Sequence, residues 1–176
     1  MILIGIDIGK LSRTFSIVSG KTSEVLVEPT AFFNNRQGFG FFYDTCKPYE
    51  DEDILISMED TGHYHFALLK DLLDRHCSVA LINPIVTDLT RKMQGGVSKN
   101  DNLDSLTICD VISSSSRRKP YRITMVNRFD LYEQRQLTRH HHNLKEELNV
   151  YTNRLQKCID IVFPEFNSLF KSKYGI

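Results

Sequence analysis

The stretch that decides the fold is MILIGIDI, residues 1–8. It is apolar on both faces up to Asp7, as expected of a central strand that other layers cover on both sides. Two shorter strands are expected after it, one at 14–18, where polar and apolar residues alternate, and one at 24–28. We expect these three strands to form an antiparallel run, and we expect Pro29 to end the third.

The next part of the chain alternates between helical and strand patterns. The pair Asn34-Asn35 is placed to cap a helix, and apolar runs at 54–58 and 78–82 predict two buried strands. Helical patterns surround these strands, and a further helix is expected from Asp101 onward. This order is typical of an α/β protein in which a mixed sheet is flanked by helices, with the two later strands parallel to the first.

The sequence changes character after residue 121. Residues 128–161 contain neither Gly nor Pro, and a heptad seam of four and three steps runs through them. The pattern predicts a long coiled-coil-type helix at 128–162 that pairs with a helix of the same chain or of a second copy, although a helix of an ordinary globular core is an alternative. We therefore expect a domain at 1–120 and a helical dimerisation segment at 121–176. The seam residues are Leu137, His141, Leu144, Leu148, Tyr151, Leu155, Cys158 and Val162.

The net charge of the 176 residues is zero, which argues against a body that binds polyanions over its whole surface. The charges are unevenly distributed, however: residues 1–60 hold ten acidic and five basic residues, and residues 85–128 hold four acidic and eight basic ones. A local basic stripe can hold phosphates, although a solvated charged face is the simpler interpretation. The candidate nucleic-acid-binding residues are Lys10, Arg91, Lys92, Lys99, Arg117, Arg118 and Lys119.

The four cysteines are widely spaced and form no CxxC pair. We interpret them as reduced thiols of a cytoplasmic protein and not as a disulfide framework or a zinc site. No apolar stretch is long enough to span a bilayer, so no membrane association is expected.

Four acidic residues stand where a carboxylate is costly unless a cation or a donor compensates it. Asp7 and Glu59 each end an apolar strand, and parallel neighbouring strands would bring them to the same edge of the sheet. Asp101 and Asp104 are three residues apart at the start of a helix, so they share one face. Mg²⁺ prefers oxygen ligands, as does Mn²⁺, and a pair of such ions can drive phosphodiester cleavage. The set predicts a catalytic metal site.

Each of these acids also has a simpler interpretation. Asp7 can be a turn residue and Glu59 a helix-capping acid, while Asp101 and Asp104 can be first-turn acids that stabilise the helix dipole. The glycines around Asp7 also fit a phosphate-binding turn of the actin-like kinases. That alternative is disfavoured, because we find no second phosphate loop and no sequence for a further domain.

Four segments, in order, resemble motifs of the DEDD-type insertion-sequence transposases, the "one-ten" family. They are GIDIGK at 5–10, MEDTGHY at 58–64, INP at 82–84 and KNDNLDS at 99–105. A later helical segment that ends in FPEF, residues 163–166, is similar to a segment of that family as well.

The resemblance implies an RNase H-like, RuvC-like domain with an acidic tetrad of Asp7, Glu59, Asp101 and Asp104 that binds Mg²⁺ or Mn²⁺. Full-length members recombine DNA by phosphodiester cleavage and strand transfer, and some are guided by a structured bridge RNA. They assemble as dimers and tetramers through coiled coils. DNA, a guide RNA and a second copy of the chain are therefore the expected partners.

The sequence departs from the family pattern in two ways. Asn100 and Asn102 stand where a Thr and a frequent basic residue are usual. The serine-bearing C-terminal domain of the family is not in this sequence, so we expect an N-terminal part that is not fully active alone. A catalytically silent nucleic-acid-binding and dimerisation module of the same fold is the alternative function.

Overall fold

The computed structural model describes residues 1–93, 101–114 and 123–170, with side chains for all of these except 101–103, 123 and 167. The strands are β1 (Ile2–Ile8), β2 (Ser12–Ser19), β3 (Val25–Phe33), β4 (Ile54–Glu59), β5 (Ser78–Ile82) and β6 (Ile123–Val126). The helices are α1 (Arg36–Cys46), α2 (Phe66–Asp74), α3 (Pro84–Met93), α4 (Asp101–Ser114), α5 (Phe129–Val162) and α6 (Phe166–Leu169), with a 3-10 turn at Lys47–Tyr49.

The strands form one six-stranded sheet in the order β3-β2-β1-β4-β5-β6. β1 pairs antiparallel with β2 and parallel with β4, and β4 pairs parallel with β5. The predicted architecture, a mixed sheet flanked by helices and followed by a long helix, is confirmed. The central position of β1 agrees with its apolar sequence, since Ile2, Leu3, Ile4 and Ile6 are all buried.

Helices cover both faces of the sheet. On one face, α1 brings Phe42 against Phe15 and Phe32, with ring centroids 5.1 and 5.3 Å apart. On the other face, Ser105 of α4 lies with its Oγ 2.7 Å from Oγ of Ser16. Phe15 and Ser16 are consecutive residues of β2, so their side chains point to opposite faces. The core therefore has two layers, and only the α4 layer contains Asp104.

The element boundaries confirm one prediction and correct another. The side-chain oxygen of Asn35, one of the two asparagines predicted to cap this helix, accepts a hydrogen bond from the N–H of Gly38 at 2.8 Å and caps α1. The prediction that Pro29 ends the third strand is wrong, because β3 continues to Phe33. β3 is at the edge of the sheet, where the missing N–H of a proline is tolerated.

The sequence pattern did not predict β6. This strand pairs antiparallel with β5, with Val126 opposite Val79, and Val126 is buried. Four residues are too few to establish a strand period, and the pairing partner is more than 40 residues away in sequence. The sheet therefore extends past residue 120, where the sequence analysis placed a domain boundary.

The chain divides into two compact units, Met1–Phe129 and Asp130–Ile176. Most of the second unit is the 34-residue helix α5, close to the extent predicted from the heptads. Six apolar seam residues are between 43% and 83% exposed in the single chain: Leu137, Leu144, Leu148, Tyr151, Leu155 and Val162. No helix in the described part of the chain has an apolar stretch that could cross a membrane.

Candidate metal centre at the end of the central strands

The ends of β1 and β4 lie side by side, and each carries an acid. The parallel register pairs Gly5 with Ser57, so Asp7 and Glu59, each two residues further on, come to the same level. Strand side chains alternate, which places Asp7 on the face of Gly5 and Glu59 on the face of Ser57. Gly5 faces α4, since a Cβ at this position would lie 2.2 Å from the backbone oxygen of Ser105. Both acids therefore lie on the α4 side.

Helix α4 adds a third carboxylate to this edge of the sheet. Asp104 is only 5% exposed and lines the same cleft as Asp7 and Glu59, a cleft of about 420 Å³. The structure therefore brings these three acids to the lining of one cleft. Asp101 begins α4, but its side chain lies outside the described residues, so its role stays a prediction.

Small residues allow α4 to approach β1 closely. Besides the contact at Ser105, a Cβ on Gly5 would lie 2.8 Å from Sγ of Cys109. Ser16 and Ser105 add a buried hydrogen bond between β2 and α4. The packing also desolvates Cys109, which raises the pKa of its thiol to about 12. The close packing of α4 on β1 fixes the position of Asp104, the residue next to Ser105.

Glu59 is held by two threonine hydroxyls. Thr61 donates to Oε2 at 3.1 Å, and the buried hydroxyl of Thr87 hydrogen-bonds to Oε1. The Thr87 hydroxyl also lies 2.9 Å from the backbone oxygen of Pro84. Sequence reasoning missed Thr87, because the pairing spans 28 residues and no motif spacing marks it. Its only sequence signal is its position one turn into the helix that starts at Pro84.

Asp104 is ion-paired with an arginine of α3. Nε and Nη2 of Arg91 lie 2.9 and 2.8 Å from Oδ1 of Asp104. A third nitrogen of the guanidinium, Nη1, lies 3.6 Å from Oδ1 of Asp88, a further acid that lines the cleft. Arg91 was predicted as a nucleic-acid-binding residue, and the structure places it inside the acidic cleft. The sequence analysis did not single out Asp88.

The other predicted basic residues are placed differently. Lys10 is exposed in the turn that follows β1. Lys92 is 68% exposed and its Nζ lies 2.7 Å from Oδ2 of Asp88. Four predicted residues lie outside the described part of the chain: Lys99, Arg117, Arg118 and Lys119.

A buried arginine lies under the loop that follows Glu59, and the sequence analysis did not single it out. Arg13 is 1% exposed and donates from Nη2 to the backbone oxygen of Tyr64 at 2.6 Å. Its Nε and Nη1 have no hydrogen-bond partner among the residues that the structure describes. Desolvation lowers the pKa of Arg13 to about 10. Beside it, buried His65 has Nε2 3.6 Å from Oδ1 of Asp60. These contacts tie residues 60–65 to the sheet.

The sequence model of the IS110 family of DEDD transposases, described as "Transposase", matches residues 4–164. The chain belongs to this family. No curated protein matches the sequence.

Among solved structures, the chain is similar to RuvC from T. thermophilus in complex with a Holliday junction substrate, at 12% identity and a TM-score of 0.49. That alignment covers 70% of this chain and 99% of RuvC. A second structure of Thermus thermophilus RuvC aligns at 14% identity with the same TM-score, over 70% of this chain and 100% of that one.

The acids of this transposase suit a divalent cation in chemistry. The cleft offers carboxylate and hydroxyl oxygens from several elements, the donor type that Mg²⁺ and Mn²⁺ take. Within the described residues, no three His, Cys, Asp or Glu side chains already stand in the geometry of a metal centre. Asp104 instead pairs with Arg91, and Glu59 accepts hydrogen bonds from Thr61 and Thr87. Cation binding therefore requires side-chain rearrangement in the cleft.

Proposed function

We propose that this transposase chain binds divalent metal in its acidic cleft and acts on the phosphodiester bonds of DNA. One observation supports this function most strongly. Asp7, Glu59 and Asp104 come from two strands and a helix that are far apart in sequence, yet they line one cleft of about 420 Å³. Three carboxylates in one cleft repel one another, and a bound cation removes that cost.

Each residue of the cleft has a proposed role. The carboxylates of Asp7, Glu59 and Asp104 hold the cation, and Asp101 completes the set by its spacing on α4. Thr87 and Thr61 orient Glu59, in the way that hydrogen bonds around a metal site fix its ligands. When bound, Mg²⁺ or Mn²⁺ supplies activation of the attacking oxygen and stabilisation of the leaving oxygen.

The substrate that this family membership supports is DNA, and strand transfer is the further step that transposition needs. Gly9 lines the cleft, and the next residue, Lys10, is exposed in the turn after β1. We therefore assign Lys10 a contact with a DNA phosphate. Binding of a guide RNA stays a prediction from the motifs. We also propose that the protein works in the cytoplasm, in keeping with four cysteines that form no disulfide.

A carboxylate-to-amide change tests the metal site. Isothermal titration calorimetry of the chain with Mn²⁺ is expected to show binding that Asp104→Asn weakens by more than about tenfold. Mutation of residues that only contact the metal ligands already lowers metal affinity by roughly 10- to 100-fold. Asp110→Asn is the matched control, because it removes the same charge from an exposed position of the same helix. Cleavage of branched DNA in Mg²⁺ should fall in parallel. Equal Mn²⁺ affinity in both variants would reject the site.

A catalytically silent module that binds nucleic acid and dimerises is the second candidate. The exposed apolar seam of α5 favours it, because such a seam stabilises a chain by pairing with another helix. Three results for the wild-type chain together would support this function over the first. The chain would bind branched DNA, release no heat of binding with Mn²⁺, and cleave neither DNA strand. Self-association through α5 is common to both candidates.

A further inference from the structure

The cation that pairs with Asp104 in the protein itself is Arg91. Two of its nitrogens converge on the single atom Oδ1, at 2.8 and 2.9 Å. Both side chains are largely withdrawn from water, with 19% of the Arg91 side chain and 6% of the Asp104 side chain exposed. This is a charge-assisted contact of the strong kind, and it occupies one of the two oxygens that Asp104 offers to a metal ion.

We propose that Arg91 is an exchangeable counter-ion, which neutralises Asp104 in the metal-free cleft and leaves it when a divalent cation binds. This inference rests on the proposed metal site. Two N–H donors on Oδ1 take up its lone pairs, and the guanidinium carries a positive charge. A divalent cation could not bind the same oxygen at the same time, because the lone pairs are already used and the guanidinium repels a second positive charge.

The exchange also gives Arg91 a second position. Nη1 already lies 3.6 Å from Asp88, whose side chain is about half exposed at the cleft wall, so the guanidinium can move toward solvent along α3 without losing all of its charge compensation. A planar guanidinium at the wall of a cleft that takes DNA is suited to a phosphate group, which it can bind with two parallel hydrogen bonds. Metal loading would thereby free an arginine for the substrate.

The same contact also fits an opposite role, and the two roles predict opposite changes in Mn²⁺ affinity when Arg91 is removed. If Arg91 only orients Asp104 for the metal, its removal should weaken metal binding. If Arg91 competes with the metal, its removal should strengthen binding. Mn²⁺ affinity in the absence of nucleic acid therefore separates the two roles without any activity measurement.

The test compares Arg91→Met with Lys92→Met by titration with Mn²⁺. Both variants remove one positive charge from adjacent positions of α3, and both residues pair with Asp88, but only Arg91 contacts Asp104. We expect Arg91→Met to bind Mn²⁺ about tenfold more tightly than wild type, and Lys92→Met to change the affinity by less than about twofold.

A second readout is thermal unfolding with and without Mn²⁺. Without metal, Arg91→Met leaves the carboxylate of Asp104 uncompensated, so its Tm should fall, and Mn²⁺ should raise that Tm by more than it raises the Tm of wild type. Arg91→Lys keeps the charge but loses the planar pair of donors, so it should fold and show an intermediate gain in affinity. It serves as the test variant if Arg91→Met does not fold.

The outcomes separate this inference from the function on which it rests. In one outcome, Asp104→Asn abolishes Mn²⁺ binding, while Arg91→Met and Arg91→Lys bind Mn²⁺ as tightly as wild type or more weakly. This result overturns the counter-ion role of Arg91 and still supports the metal site. An equal gain in Arg91→Met and Lys92→Met overturns it too, because overall charge then explains the effect. Absence of Mn²⁺ binding in wild type and in every Arg91 variant overturns both proposals.

Discussion

Adding one methyl group at Gly5 should displace the helix that carries Asp104. An alanine Cβ at this position would lie 2.2 Å from the backbone oxygen of Ser105 and 2.8 Å from Sγ of Cys109. A comfortable carbon–oxygen contact is about 3.4 Å, so α4 and β1 must separate by roughly 1 Å. The obstacle at Ser105 is backbone, so no side-chain rotation can relieve it.

Two magnitudes follow from this displacement. Overpacking of a tight core costs about 1–3 kcal/mol, and for a chain of this size about 2 kcal/mol corresponds to a fall in Tm of about 4–8 °C. Asp104 is next to Ser105 and moves with it. A shift of about 1 Å at a functional group can cost about 100-fold in rate, so Mn²⁺ affinity and DNA cleavage should fall as well.

Scanning calorimetry measures the stability change, since the chain has no tryptophan to report it by fluorescence. The control is Gly40→Ala in α1, where an added Cβ has nothing within 4 Å. This control should stabilise the protein by about 0.5–1 kcal/mol, because alanine is favoured over glycine inside a helix. A Gly5→Ala variant with the Tm and Mn²⁺ affinity of wild type would refute the argument that close packing of α4 on Gly5 positions Asp104.

Two further predictions concern α5 and the loop after Glu59. Leu148→Asp should lower the mass of the chain measured by sedimentation, because it places a charge in the apolar seam of α5. Asn149→Asp, outside the seam, should leave the mass unchanged. Identical masses for wild type and both variants would count against self-association. Burial lowers the pKa of His65 despite nearby Asp60, so stability should be complete above the ordinary pKa of about 6.5 and decrease as the pH falls below it. Between about pH 7.5 and 5.5, wild type should lose more Tm than His65→Gln, and equal losses would contradict this.

The sequence was most informative where local pattern and packing agree. Apolar runs at 2–8 and 54–58 were sufficient to predict two parallel strands, and the prediction that Asp7 and Glu59 meet at one edge depended on their being neighbours, which the structure shows. The heptads likewise predicted α5 to within a residue or so at each end. These features depend on a short-range period that a single sequence displays.

Features that depend on long-range pairing were missed. β6 consists of four residues whose strand character comes from its partner β5. Thr87 and Arg91 are ordinary helix residues until the fold brings them to Glu59 and Asp104. The burial of Arg13 was not inferred either, because the predicted strand began at residue 14 and an arginine is usually exposed.

The contact between Arg91 and Asp104 joins two points that are 13 residues apart in sequence. In the metal-free cleft it joins the last turn of α3 to the first turn of α4, in addition to the covalent chain. Loss of either partner would therefore weaken the attachment of one helix to the other as well as change the charge of the cleft.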